Sequence, residues 1–256
     1  MIRLKNWIGY AAIGLLAGIS TPAEEIQLNR PEDWEPQQAI AVAGDAMRIK
    51  GSRQLYSKAI IQADPAKTYR LLGTLKAVPD TPPAPVHYGI LPLDGNKQRL
   101  YITQQKSDTV LVADAQIGDN VLQIADGSQW RAAKQNRIAF DVKADAVEVP
   151  KENILAAAPV KIENSGAFWK VTLAEPLPCY LKKGTPVCLR VPAPPLYFSV
   201  ARSSEIGICD PSTTSKTMWY PEIKYFQVMI LANWKTLPPE APVPELEMRN
   251  LRLEVK

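Results

Sequence analysis

The chain has 256 residues, 46% hydrophobic and 22% charged, with a formal net charge of +4 at pH 7. That balance is mild, and no basic run with interleaved aromatics appears, which excludes an electrostatic nucleic-acid footprint. His87 is the only histidine and there are three cysteines, so neither an H-E-x-x-H zinc site nor a histidine-rich metal cluster can be built.

Arg3 and Lys5 precede an apolar run from Trp7 to Ile19, and Ser20-Thr21-Pro22-Ala23 supplies small residues before Glu24-Glu25. This is the layout of a secretory signal peptide over residues 1–23, cut after Ala23. The alternative is a membrane anchor, but the run is shorter than the ~20 residues a spanning helix needs. The mature chain is therefore expected to be secreted, periplasmic or at the cell surface, with no stable membrane span after cleavage. Losing Arg3 and Lys5 lowers the formal charge from +4 to +2.

Glu24 to Gly44 reads as a polar, irregular lead-in that packs on a β-sandwich. Ala46 to Gly51 alternates apolar and basic residues and stops at glycine. Gln54 to Ile61 is a second run of strand formers. Asp64-Pro65 is turn chemistry. After it, Tyr69, Leu71, Leu75 and Ala77 fall on one side of a long strand, with Gly73 between them. Arg70, Thr74 and Lys76 fall on the other side. Pro82-Pro83-Ala84-Pro85 must be loop. Val86 to Leu91 returns to strand, Asp94-Gly95-Asn96 turns, and Leu100 to Ile102 resumes.

Beyond Asp108 come further short strands at Thr109, Val121, Arg137, Val160, Trp169 and Val187, separated by turns such as Ile117-Gly118-Asp119-Asn120. We read residues 109–191 as an inserted β subdomain, against the alternative of further strands in one sandwich. Val191-Pro192-Ala193-Pro194-Pro195 closes it as a stiff linker. Leu196 to Val200 and the strongly apolar Lys224 to Leu231 then rejoin the first domain, residues 24–108 and 192–256. In the last strand Leu246 and Met248 occupy one parity, and Leu251, Leu253 and Val255 the other. A bulge near Arg249-Asn250 would bring both sets to the core. No helical pattern of useful length appears after the signal.

The run Ala46-Met47-Arg48-Ile49-Lys50-Gly51, then Gln54-Leu55-Tyr56-Ser57, then Asp64-Pro65-Ala66-Lys67-Thr68-Tyr69-Arg70-Leu71-Leu72-Gly73-Thr74-Leu75-Lys76-Ala77 resembles the opening half of CenC-type carbohydrate-binding modules. Leu246 to Leu253 resembles the closing strand of that family. The resemblance implies an all-β, jelly-roll β-sandwich of the galactose-binding-like class, with an inserted small β subdomain, and an extracellular glycan as partner. Family members often hold a structural calcium; Asn250 stands where the family usually carries aspartate, which weakens that carry-over, so no cofactor is assigned and a structural calcium is the alternative.

Sugar binding needs a flat aromatic face and polar groups for the hydroxyls. Trp219-Tyr220 comes after the polar stretch Ser212 to Lys216, and exposed loops carry function more often than core positions do. Trp219 and Tyr220, with Asp210 and Lys216, are the expected ligand residues. Trp234, Tyr88, His87 and Trp130 are further candidates; taken singly, each tryptophan reads more readily as a core or rim residue, and His87 as the less buried face of a strand. Cys179 and Cys188 flank Lys182-Lys183-Gly184, read as a hairpin tip, and are the expected disulfide; Cys188 with Cys209, or three separate thiols, are the alternatives. There is no G-x-S-x-G elbow, no glycine-rich phosphate loop, and nothing that pairs two carboxylates, so no catalytic residue is assigned. The reading is a non-catalytic binding module. A structural or adhesive surface protein is the alternative, and a carbohydrate-active enzyme a more distant one.

Overall fold

The computed structural model describes residues 24–64, 66–82, 86–141, 154–155, 157–200, 204–206, 222–233 and 240–256. The chain opens with β1 (Glu24–Gln27), β2 (Trp34–Glu35), β3 (Ile40–Ala43), β4 (Ala46–Lys50), β5 (Arg53–Ser57), β6 (Ile61–Gln62), β7 (Tyr69–Ala77) and β8 (Val86–Leu93). A second group comes next: β9 (Tyr101–Thr103), β10 (Thr109–Val110), β11 (Val121–Ile124), β12 (Arg137–Phe140), β13 (Ile154–Leu155), β14 (Pro159–Asn164), β15 (Trp169–Leu173) and β16 (Pro186–Pro192). The chain returns through β17 (Leu196–Val200), β18 (Ser204–Ile206), β19 (Tyr225–Ala232) and β20 (Glu245–Val255). Among the described residues the helical pieces are two short 3-10 turns, Pro31–Asp33 and Gln37–Ala39. No helix in these residues is long and apolar enough to cross a membrane.

Two antiparallel sheets form a sandwich. One runs β18-β7-β20-β4-β3, with β1 also on β20; the other runs β17-β8-β19-β5-β2, with β6 also on β19. The eight strands β4, β5, β7, β8, β17, β18, β19 and β20 thus give β4-β20-β7-β18 facing β5-β19-β8-β17, the strand order of a jelly roll. The fold is all-β, as expected. Strands β8 and β17 are direct neighbours, Val86 opposite Val200, although the whole second group lies between them in sequence.

Alternation of side chains builds the core. Tyr69, Leu71 and Leu75 of β7 are buried, as are Phe226, Val228 and Ile230 of β19 and Leu246, Met248, Leu251, Leu253 and Val255 of β20. Tyr69 meets Phe226 edge-on, with ring centroids 4.9 Å apart. Its hydroxyl donates to the Gln62 carbonyl at 3.1 Å and accepts the Asp64 N–H at 2.8 Å, which ties the turn before β7 to the strand. Buried rings with a polar end usually find such partners. The parity break in β20 is a bulge: its pairing with β7 shifts register between Arg249 and Arg252. Asn250 takes a left-handed φ of 53° there, a conformation asparagine tolerates better than most residues.

The second group forms two further sheets, β10-β16-β12-β13 with β9 on β16, and β11-β15-β14. It has its own buried cluster, including Leu122, Ile124, Trp130, Ile138, Val171 and Leu189. Strand β9 pairs with β16, Ile102 opposite Val191, so pairing passes to the second group at Tyr101, ahead of the polar break at Gln104 to Asp108. Pairing returns to the sandwich after Pro192, where Ala193 N–H bonds the Leu100 carbonyl at 2.8 Å.

Arg190 marks the joint. Its side chain is fully buried, donates to Thr103 Oγ1 at 2.7 Å and to the Tyr101 carbonyl, and lies 3.6 Å from Glu222 Oε1 just before β19. Burial draws its guanidinium pKa down, and Glu222 opposes that.

The bridge expected between Cys179 and Cys188 is not formed; both are free thiols. The segment between them is not a simple hairpin. Leu181 bridges Ala115, whereas Val187 pairs with Thr109. Cys179 packs on the second core. Val187 and Leu189 belong to that core too, so the strand alternation turns Cys188 to the other face, shared with Arg190. Burial raises the Cys188 thiol pKa. Cys209 lies outside the described residues.

Candidate functional site

The expected ligand residues Trp219, Tyr220, Asp210 and Lys216 lie outside the described residues, as does Trp234. Two other aromatic candidates are core residues. Tyr88 is buried within the sandwich. Trp130 is buried in the second core, with Nε1 donating to the Ser107 carbonyl at 2.8 Å. His87 alternates with Val86 and Tyr88 and is half-buried on the outer face of its sheet. Among the described residues no group of His, Cys, Asp or Glu could hold a metal ion.

A polar hollow of about 510 Å³ lies at the β2 edge of the sandwich, lined by Glu35, Pro36, Gln37, Gln38, Tyr56 and Lys58. Its construction starts with Trp34. That ring is wholly buried, and its Nε1 donates to the Leu28 carbonyl at 2.9 Å. Trp34 pairs with Ser57, which sets Glu35 directly opposite Tyr56. Alternation then decides the faces: Leu55 enters the core and Tyr56 stands on the outer side. The Lys58 N–H bonds the Asp33 carbonyl at 2.8 Å, and the Ala39 N–H bonds the Pro36 carbonyl at 3.1 Å, so both rims of the hollow are pinned.

Ser57 fastens the floor. Its Oγ donates to the Ala59 carbonyl at 2.8 Å and accepts the Val228 N–H at 3.0 Å. Its carbonyl accepts Gln227 Nε2 at 2.6 Å. The site therefore has one half-buried aromatic ring held where edge strand β2 pairs with β5 and, around it, an exposed carboxylate, two carboxamides and an ammonium group. A ring supplies a rigid apolar face with a polar tip, and the surrounding groups can donate and accept hydrogen bonds to hydroxyls. Nothing in the set pairs two carboxylates.

A second hollow of about 500 Å³ lies across the Pro36–Ala39 segment, lined by Gln38, Ile40, Arg48, Lys50, Arg53 and Glu245. The two share Pro36 and Gln38, so this short segment is a ridge between two open depressions.

No family model, curated protein or solved structure matches this chain.

Sequence reading places Tyr56 in a strand and Glu35 to Gln38 in a lead-in, and assigns neither a role. The signal available is the density of polar residues directly after Trp34, together with the parity that sets Tyr56 apart from Leu55.

Proposed function

We propose that this protein is a secreted, non-catalytic β-sandwich module that binds extracellular carbohydrate. The observation that carries the reading is the hollow at Tyr56, where an aromatic face on a rigid sheet is ringed by Glu35, Gln37, Gln38 and Lys58. Saccharides present apolar C–H faces and a rim of hydroxyls, and this set answers both. The jelly-roll strand order and the resemblance of Ala46 to Ala77 and Leu246 to Leu253 to CenC-type modules support the same reading. The basic and apolar N-terminus, residues 1–23, supports export.

The test is a glycan-array screen of the protein from Glu24 onward, with product release monitored in parallel. Tyr56→Ala is expected to weaken the recognised glycan about tenfold or more, as removal of a buried aromatic anchor does. Trp219→Ala tests the rival site at Trp219, Tyr220, Asp210 and Lys216. Unchanged affinity in a folded Tyr56→Ala variant would remove the Tyr56 hollow as the binding site. No retained glycan in the array, or release of product, would overturn the functional reading itself.

A further inference from the structure

Where the second group of strands leaves and rejoins the sandwich, an open cleft of about 530 Å³ is lined by Arg99, Arg131, Gln104, Gln135, Val191 and Pro192, among others, and by no carboxylate. Arg99 comes from the sandwich side, at the end of the turn after β8, where its backbone bridges Leu93. Arg131 and Gln135 come from the loop before β12. Val191 and Pro192 are the last residues of β16.

The loop that carries Arg131 is fixed. Asn136 is buried, and its Nδ2 donates to the Arg131 carbonyl at 2.8 Å. The Asn136 N–H bonds the Ala133 carbonyl at 3.0 Å, and the Ala133 N–H bonds the Pro159 carbonyl at 3.1 Å. Arg131 Nη1 reaches the Trp130 carbonyl at 3.2 Å and the Ser128 carbonyl at 3.5 Å, neutral acceptors that leave its charge unopposed. Arg137, just beyond, is likewise held by carbonyls, those of Lys134 and Asn136, and sits over the Tyr101 ring. The nearest buried cation of this region, Arg190, already has its carboxylate in Glu222. None of Arg99, Arg131 and Arg137 pairs with a carboxylate among the described residues, whereas the arginines of the β20 face, Arg48, Arg249 and Arg252, all do.

Two arginines from different parts of the chain line this cleft together with two carboxamides, and guanidinium groups are planar donors suited to an oxyanion. We propose that this cleft binds the carboxylates of an acidic polysaccharide, and that the bound chain bridges the sandwich and the second group of strands. The proposal rests on the saccharide-binding reading only for the polymer that carries the acid. The cleft itself is independent of the Tyr56 hollow.

The experiment is titration calorimetry of the protein from Glu24 onward with a short polyuronate oligosaccharide, its carboxyl-reduced neutral counterpart, and sodium sulfate, each at low and high salt. The polyuronate is expected to bind, to weaken with salt as an ionic contact must, and to lose affinity about tenfold or more in Arg99→Gln/Arg131→Gln, because one charge-assisted hydrogen bond carries roughly that factor. Lys182→Gln/Lys183→Gln, exposed cations outside the lining of the cleft, are expected to leave polyuronate binding unchanged. Arg99→Glu alone keeps the test open if the double variant misfolds. The proposal is overturned if the polyuronate does not bind, if the neutral counterpart binds equally, if sulfate binds and the polyuronate does not, or if the folded arginine variants bind as the parent does. Loss of binding in Tyr56→Ala with retention in the arginine variants would place the acidic chain in the other hollow. Failure of neutral glycans on the array would sink the Tyr56 reading while leaving this result intact.

Discussion

Leu251 occupies the space that a side chain on Gly73 would need. A Cβ built on Gly73 would lie 2.6 Å from Leu251 Cδ2 and 2.9 Å from the Arg249 carbonyl oxygen. Gly73 sits in β7 opposite the β20 bulge, at φ 142°. The bulge returns Leu251 to the core side, and the missing side chain across from it leaves room for that residue.

Gly73→Ala is therefore expected to cost roughly 2–4 kcal/mol, from overpacking and from a backbone angle that alanine resists. Leu251→Ala should cost about 2–5 kcal/mol by opening a cavity. The double variant should lose less than the sum of the two, because the clash and the void share one space. Urea midpoints of the three variants check this, and strict additivity would contradict it.

Arg190 and Glu222 form a buried pair at the joint between the two groups of strands. Glu222→Gln leaves a buried guanidinium without its counter-charge and should cost roughly 3–5 kcal/mol. Arg190→Met/Glu222→Leu removes both charges and should cost less than Glu222→Gln alone. Thermal unfolding of the two variants under one buffer gives the ranking; the opposite order would show that the pair itself, and not the orphaned charge, dominates.

Glu247 links two arginines of the outer sheet face, Arg48 and Arg249. It accepts Arg249 Nε at 2.8 Å and Arg48 Nη2 at 2.9 Å, while Arg249 also reaches Asp45. The Arg249 hydrogen bond, and after it Arg48, holds the Glu247 carboxyl below the usual glutamate range. A depressed carboxylate pKa contributes stability that is present above the unfolded-state value and lost as pH falls through the folded-state value. Between about pH 5 and pH 3 the parent should thus lose more stability than Glu247→Gln, which has no carboxylate to protonate there. Parallel urea melts across that window decide it; equal losses would remove Glu247 from the acid response.

Cys188 is buried and its thiol is pushed up by burial, while Cys179 is half-buried at the surface of the second core. In the native protein a thiolate-selective reagent near pH 8 should label Cys179 well before Cys188, since the thiolate is the reactive form. Peptide mass spectrometry without reduction should find no Cys179–Cys188 link. A linked peptide, or labelling in the reverse order, would count against this arrangement.

Much of the fold was legible because strand periodicity is local. Tyr69, Leu71 and Leu75 declared their face by alternation, and the parity break between Met248 and Leu251 announced a bulge that the register between Arg249 and Arg252 carries. Pro194 and Pro195 marked the return to the sandwich, since proline cannot extend a central ladder, but the linker expected from Val191 begins two residues later, because Val191 and Pro192 still pair with Ile102 and Tyr101 in β16. Local pattern also set Cys179 and Cys188 nine positions apart, which suggested a hairpin. Pairing is not local, however: Leu181 found Ala115 and Val187 found Thr109. The same holds for the sites. Whether Trp34 or Tyr56 faces outward depends on which strand lies beside it, so the sequence could supply both rings but not rank them. Arg99 and Arg131 are 32 positions apart and share a cleft only because β16 carries the chain back beside β9. Side-chain alternation is written residue by residue, whereas the meeting of distant residues is decided by strand pairing, whose free energy is collected only when the whole sheet closes.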